Sequence, residues 1–284
     1  MNELNIYSKI KLNNDVEMPV IGLGVWRIEE GEEVENAVRD ALSAGYRMID
    51  TAKIYKNEEG VGKALNRYGL LREEFFVTTK LWNEDQGYDS TLKAIDESLD
   101  KLGLTYVDLY LVHWPTADSE VKKSINKRRE TWEAMEEILK QGKARAIGVS
   151  NYTIEHLEEM KEYATVVPAV NQVEFNPFLY QEKLLNYCKN NNIILQAYSP
   201  LSQGKRIDDL NILKIAEKYN KTVPQVILRW ILQHGAITIP RSTNREHITE
   251  NINVFDFEIS EDDMKVIDML DENMRLAPNP TDIL

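Results

Sequence analysis

The 284-residue chain has one cysteine, Cys188, so no intrachain disulfide can form. It lies in the helix-like stretch LLNYCKNN and reads as core filler rather than as a nucleophile. Histidine is nearly as scarce. The four present, His113, His156, His234 and His247, fall at no metal-ligand spacing, so no metal is expected. Positive charge is also short: 34 Lys and Arg stand against 47 Asp and Glu, for a net −13. Such a surface argues against nucleic acid as a partner, because phosphates are held by Lys and Arg. The one basic cluster, KKSINKRRE from Lys122 to Glu130, reads as a solvated loop. No run is long and apolar enough to cross a bilayer, and MNELNIYSKIKL lacks a signal-peptide core. These absences point to a cytoplasmic protein with no membrane partner. No Gly/Ser- or Pro-rich linker divides the chain, so residues 1–284 are expected to form a single domain. At 43% hydrophobic it has ample core for that, since α/β barrels run to about 250 residues as one unit.

What is present is alternation. Short apolar runs are followed by amphipathic ones. In EEVENAVRDALSAG, Val34, Ala37, Val38, Ala41 and Leu42 fall on one helical face, and Gly45 suits the position just past the helix end. YRMID, FFVTTK, VDLYLVH, ARAIGVS, AVNQVEF, IILQAYS and AITIP continue the series of strands, with helical segments between them. Strands so uniformly apolar, alternating with helices, imply a parallel sheet. An open dinucleotide-binding sheet calls for G-x-G-x-x-G after its first strand, but GLGVWR has Arg27 where the third glycine belongs. The expected fold is therefore α/β, a (β/α)8 TIM barrel. An N-terminal β-hairpin is expected from Ile10 to Val20, turning at NND, and extra helices at the C-terminus.

Active sites of parallel barrels lie at the C-terminal ends of the strands. The second strand ends at Asp50, with Tyr55 just beyond. The third ends at Lys80, the fourth at His113 and the fifth at Ser150 and Asn151. The sixth carries Gln172 and the seventh ends at Tyr198. Taken alone, each has an ordinary explanation: Asp50 as a helix cap, Lys80 reaching solvent, Tyr55 and His113 in the core. Together they put a carboxylate, an ammonium, an imidazole and a phenol on one rim. A phenol titrates near pH 10, a nearby ammonium lowers that value, and a buried ammonium needs a carboxylate partner. Asp50, Lys80 and Tyr55 thus compose a general acid/base for a carbonyl oxygen, with neutral His113 orienting it. No side chain offers an electron pair to the carbon, and a hydride from a nicotinamide fills that gap.

After the eighth strand, IPRSTNREHITEN places Arg241, Ser242, Thr243 and Asn244 ahead of a short helix that Asn244 is suited to cap. Barrels often bind phosphate there, and Arg241 supplies a fixed positive fork.

GYRMIDTAKIYKNEEGVG, DLYLVHWP and IPRSTNREHITEN, with GVSNY, NQVEFNP and AYSPL between them in order, resemble the aldo-keto reductase superfamily over nearly the whole chain. AYSPLSQG and the short loops are similar to the bacterial and fungal branch that reduces small aldehydes such as methylglyoxal, and keto sugars. The resemblance implies a barrel that reduces carbonyls with NADPH, with Tyr55 as proton donor, Lys80 and Asp50 lowering its pKa, and His113 positioning the carbonyl. It assigns Ser150, Asn151 and Gln172 to the nicotinamide carboxamide and Tyr198 to stacking on the ring. Ser199, Leu201 and Gln203 go to the pyrophosphate, Arg241, Ser242 and Thr243 to the 2′-phosphate, and Glu250 and Asn251 to the adenine. Gly24, Val25, Trp26, Asp50, Ile239, Asn244 and His247 complete the implied cofactor surface. Trp26, Trp82 and Trp114 wall the implied substrate pocket with Tyr55 and His113. A monomer acting on small carbonyls is implied.

Two positions depart from the family pattern. Arg241 stands where lysine is usual, and His247 where a second phosphate-binding arginine is usual. Histidine carries less positive charge than arginine at neutral pH, so NADPH is expected to be preferred only moderately, with some use of NADH. The loop Pro115 to Arg129 and the tail after Asp271 read as short, giving an open pocket. Two other readings compete: a barrel aldolase forming a Schiff base at Lys80, and a non-enzymatic NADPH-binding accessory subunit.

Overall fold

Side chains on a β-strand alternate between its two faces, and in this chain that alternation builds the interior of a barrel. The computed structural model describes residues 4–115 and 121–280. A hairpin of β1 (Lys9–Lys11) and β2 (Glu17–Pro19) comes first, paired Ile10 to Met18. The barrel strands are β3 (Leu23–Gly24), β4 (Met48–Asp50), β5 (Phe76–Leu81), β6 (Val107–Val112), β7 (Ala144–Ser150), β8 (Val170–Glu174), β9 (Ile194–Tyr198) and β10 (Ile237–Thr238). All neighbours are parallel, in the order β3 to β10. A parallel bridge between Ile21 and Thr238 closes the ring, helped by Gly22 N–H to Thr238 O at 3.0 Å and Gly24 N–H to Pro240 O at 3.1 Å. Gly24 lets the seam close tightly, since a Cβ there would lie 3.0 Å from the carbonyl oxygen of Ile239 and would push it outward by a few tenths of an ångström. This is the (β/α)8 barrel that the strand and helix alternation implied.

Among the described residues ten helices accompany the strands: α1 (Glu32–Ala44), α2 (Glu58–Tyr68), α3 (Tyr88–Leu102), α4 (Val121–Lys140), α5 (Ile154–Met160), α6 (Glu182–Asn190), α7 (Leu210–Tyr219), α8 (Val223–Gln233), α9 (Arg245–Ile252) and α10 (Glu261–Asp268). The five apolar positions of α1 are all buried, and Gly45 ends the helix at φ 107° with its N–H on the carbonyls of Ala41 and Leu42. Each such Val or Leu contributes about 1.5–3 kcal/mol by leaving water. In α8, Thr222 caps the Gln225 N–H, and Pro224 sits in the first turn, where no N–H is needed.

The core has two parts. Outward-facing strand residues such as Val77, Leu81, Tyr110 and Val149 pack under the helices, whereas Met48, Phe76, Leu109, Leu111, Ala146, Val170 and Ile237 fill the barrel. Leu12 and Met18 of the hairpin join that inner set and plug the bottom. The expected turn residues bolt the plug in place: Asn13 Nδ2 donates to the carbonyls of Val167 and Pro168, and Asn14 Nδ2 donates to that of Arg145.

Two expectations are corrected. Lys122 to Glu130 lies inside α4 rather than in a solvated loop. Arg128, 3% exposed, turns inward because Glu159 of α5 meets it with two bonds, of 2.9 and 2.6 Å. The connection read as a loop from Pro115 to Arg129 is therefore largely helical, with residues 116–120 outside the described residues.

Candidate active site

The strand alternation that buries Met48 and Phe76 in the barrel also aims Asp50 and Lys80 inward, two and four positions further on. One residue past β6, His113 shares the parity of Leu109 and Leu111, while Ser150, Gln172 and Tyr198 share that of Ala146, Val170 and Ile194. The apolar bottom layers thus give way to polar groups at the C-terminal end, where the register sets Asp50 beside Thr78 and Ser150 beside Gln172.

Lys80 is 0% exposed. Its Nζ donates to Asp50 Oδ1 at 2.5 Å, to the Thr51 carbonyl at 2.8 Å and to the Tyr55 hydroxyl at 3.3 Å. Three acceptors saturate the three N–H bonds of an ammonium. The other oxygen of Asp50, Oδ2, accepts from Gln172 Nε2 at 2.7 Å. Asp50 therefore serves as counter-ion to Lys80, not as a helix cap. Burial pushes Asp50 up and Lys80 down, and their mutual pairing opposes both shifts. Tyr55 ends a single turn of 3-10 helix, Lys53–Tyr55. The residue is only partly buried, its hydroxyl being the enclosed end. That phenol corrects an expectation: burial first, and then the Asp50 charge, raises it well above its ordinary 10. Burial and the Asp50 carboxylate together outweigh the Lys80 charge, so at rest the site keeps the proton on Tyr55. His113 moves the other way. Burial, and then the Lys80 charge, lowers it well below 6.5 and keeps the ring neutral. The ring stands edge-on to Tyr55, with centroids 5.7 Å apart, and to Trp82 at 5.3 Å.

The expected nicotinamide contacts form one connected set. Ser150 Oγ donates to the Gln172 carbonyl at 2.8 Å. Asn151, at φ 63°, donates to the His113 carbonyl at 2.9 Å, and its Oδ1 accepts from the Tyr198 hydroxyl at 2.8 Å. Away from this rim opens a cleft of about 740 Å³ whose lining includes Leu201, Arg241, Ser242, His247, Glu250 and Asn251. Six of the expected cofactor residues thus line one cavity, of the size that holds a nucleotide. Asn244 caps α9 as expected, accepting from the Glu246 and His247 N–H groups. Ser199, Ser202 and Gln203, at φ 46°, 49° and 54°, bend the loop after β9 beside the cleft. Trp26, 38% exposed, lies on the turn after β3, and the Trp114 carbonyl accepts from Gln86 Nε2. Among the described residues no cluster of His, Cys, Asp or Glu is placed to hold a metal.

Three features escaped the sequence reading. Gln172 braces Asp50 from the far side of the barrel. Asn57, 0% exposed, accepts from Thr51 Oγ1 at 2.7 Å and donates to the carbonyls of Val25 and Ile28, joining the Tyr55 segment to the Trp26 turn. Ser202 Oγ is buried with no hydrogen-bond partner among the described residues. Its place in SPLSQG, next to residues assigned to pyrophosphate, was the available signal. An unpaired buried hydroxyl in a loop of left-handed residues, lining the approach to the cleft, suits an anion, so the residues fit a dinucleotide.

Comparison with known proteins agrees with this geometry. Residues 20–272 match the model of the aldo/keto reductase family. The chain is 52% identical over 275 residues to glyoxal reductase of Bacillus subtilis (strain 168), covering 97% of each protein. Among solved structures, an aldo-keto reductase from a Medee basin deep-sea metagenome library superposes with a TM-score of 0.90 at 45% identity, covering 95% of this chain and 97% of that one. The aldo-keto reductase of Bombyx mori, solved in complex with NADP, gives 0.89 at 37% identity, covering 97% and 96%. The chain belongs to the aldo/keto reductase family and is an NAD(P)H-dependent oxidoreductase.

Proposed function

We propose that the chain reduces aldehydes and ketones to alcohols with NADPH, taking small α-oxoaldehydes such as methylglyoxal and glyoxal most readily and aromatic aldehydes and keto sugars besides. The observation that carries this reading is the saturated Lys80 ammonium with the Tyr55 hydroxyl as its third partner, 3.3 Å away. Lys80 is also fully enclosed and turned into Asp50, Thr51 and Tyr55 rather than toward open space, which argues against the aldolase reading. The tight contact of all four groups argues against a non-enzymatic subunit.

When bound, the dihydronicotinamide supplies a hydride to the carbonyl carbon. The protein supplies the proton. Tyr55, held protonated at rest by burial, gives its proton to the carbonyl oxygen as negative charge develops there. The phenolate that remains is stabilised by Lys80, and Asp50 and Gln172 keep the ammonium from turning away. His113, neutral and flanked by Tyr55 and Trp82, donates an N–H to the same oxygen and fixes its direction. Ser150, Asn151 and Gln172 would hold the carboxamide and Tyr198 would stack on the ring. Ser199, Leu201, Ser202 and Gln203 would meet the pyrophosphate. Arg241, Ser242 and Thr243 would take the 2′-phosphate, with Glu250 and Asn251 at the adenine. The similarity to glyoxal reductase favours small oxoaldehydes.

The test is NADPH consumption with methylglyoxal, benzaldehyde and a keto sugar. Turnover of methylglyoxal at on the order of 1 s⁻¹ or faster is expected. Consumption with none of the three classes would overturn the proposal.

A further inference from the structure

The turn that carries Trp26 runs from Val25 to Ile28, closed by the Ile28 N–H on the Val25 carbonyl at 3.1 Å. Two clamps hold its four carbonyls. Asn57 takes the outer pair, Val25 O at 2.9 Å and Ile28 O at 3.0 Å, from a fully buried position. Arg241 takes the central pair: Nε donates to Trp26 O at 3.1 Å and Nη2 to Arg27 O at 2.8 Å. The turn needs the help. Arg27 sits at φ 56°, a conformation that a branched or long side chain pays for, and its guanidinium stacks over the Trp26 ring at 4.2 Å. The Val25 N–H, in turn, donates to the Asp50 carbonyl at 3.0 Å, so the turn abuts the catalytic strand directly.

The Arg241 clamp differs from the Asn57 clamp in one respect: it stands at the edge of the cofactor cleft. A guanidinium presents five N–H donors in a rigid plane. Its Nε/Nη2 edge is used on the turn, and Nη1 makes no hydrogen bond among the described residues. We propose that Arg241 is a positioning residue for the carbonyl substrate as well as a ligand for the cofactor: one edge fastens the Trp26 turn, the other binds a phosphate monoester in the cleft, and phosphate binding thereby stiffens the Trp26 wall. This rests on the NADPH reading above. It gives a reason for arginine here, because a compact lysine ammonium lacks the planar guanidinium whose one edge grips two carbonyls while another stays free for phosphate. It also makes the two cofactors unequal toward substrate. NADPH, through its 2′-phosphate, holds the wall still, and NADH leaves it looser.

The experiment uses the full chain and adenosine 2′-monophosphate as the probe, with adenosine 5′-monophosphate as its control. Calorimetry measures binding, and backbone hydrogen exchange is followed over residues 25–28. The 2′-phosphate is expected to slow exchange there several-fold and the 5′-phosphate to leave it unchanged. Arg241→Lys is expected to bind the 2′-phosphate still but to lose the slowing. With NADPH, it should raise KM for methylglyoxal several-fold more than it alters kcat. Binding of the 2′-phosphate to the wild type without slowing, or a lysine variant that keeps both the slowing and the KM, overturns the coupling alone. Failure of the 2′-phosphate to bind at all overturns the NADPH reading and the coupling together.

Discussion

The Nζ of Lys80 stands 3.3 Å from the hydroxyl of Tyr55, and the same nitrogen is 2.5 Å from Asp50 Oδ1. The ammonium is thus shared between a carboxylate that holds it in place and a phenol that needs it only when the phenol loses a proton. The catalytic reading, and the predictions that follow from it, depend on this sharing.

The ion pair is a functional device set in a core that would be as stable without it. Asp50→Leu alone leaves Lys80 buried without its counter-ion and is expected to cost about 3–5 kcal/mol. Asp50→Leu with Lys80→Met removes both charges and should restore stability to near the wild type while leaving activity lost. Denaturant unfolding measures this. A double variant as unstable as the single one contradicts it.

The direction of the Tyr55 shift fixes a pH dependence. A phenol raised well above 10 is protonated throughout the neutral range, so carbonyl reduction has its proton donor from pH 6 to pH 9. The reverse reaction needs the phenolate, whose fraction grows about tenfold per pH unit below the pKa. Alcohol oxidation should therefore climb steeply between about pH 7 and pH 9, while reduction stays nearly level. Rates of oxidation that do not change with pH over that interval argue against Tyr55 as the base.

Much of this site was legible because where a strand ends is a local property. Reading Asp50, Lys80 and His113 as the ends of consecutive barrel strands is enough to bring carboxylate, ammonium and imidazole to one rim, and helix spacing supplies the rest of the barrel. The features that were missed join residues far apart in sequence. Gln172 reaches Asp50 across 122 positions, and Glu159 reaches Arg128 across 31. Nothing within KKSINKRRE announces that one of its arginines is buried, because the carboxylate that draws it in lies on another helix. The Tyr55 shift was misread for a related reason. A nearby lysine lowers a phenol's pKa, but here burial and the Asp50 carboxylate paired with that lysine raise it by more. The left-handed Ser199, Ser202 and Gln203 bear no glycine signal.

Ser202 offers a test of the cofactor site apart from the chemistry. Its hydroxyl is buried without a partner among the described residues, so Ser202→Ala should leave the cofactor-free protein as stable as the wild type or slightly more so. A net hydrogen bond is worth about 0.5–1.5 kcal/mol, so the same change should weaken NADPH binding about two- to twelvefold. Thermal unfolding and calorimetry read the two effects. A loss of stability with unchanged binding places the hydroxyl outside the cofactor site.

His247 lines the cleft with Arg241. With one arginine rather than two, NADPH is expected to exceed NADH in kcat/KM by less than about a thousandfold, roughly 4 kcal/mol. His247→Arg should widen that ratio by about tenfold, chiefly through a lower KM for NADPH. A ratio already above a thousandfold in the wild type, or one unmoved by the substitution, contradicts the expectation.

The most direct measurement compares wild type with Tyr55→Phe in methylglyoxal reduction, with NADPH affinity determined on both. Removing only the hydroxyl should lower kcat by about a hundred- to ten-thousandfold with NADPH bound as tightly as before. A phenylalanine variant that keeps more than about a tenth of the wild-type kcat would show that the proton comes from elsewhere.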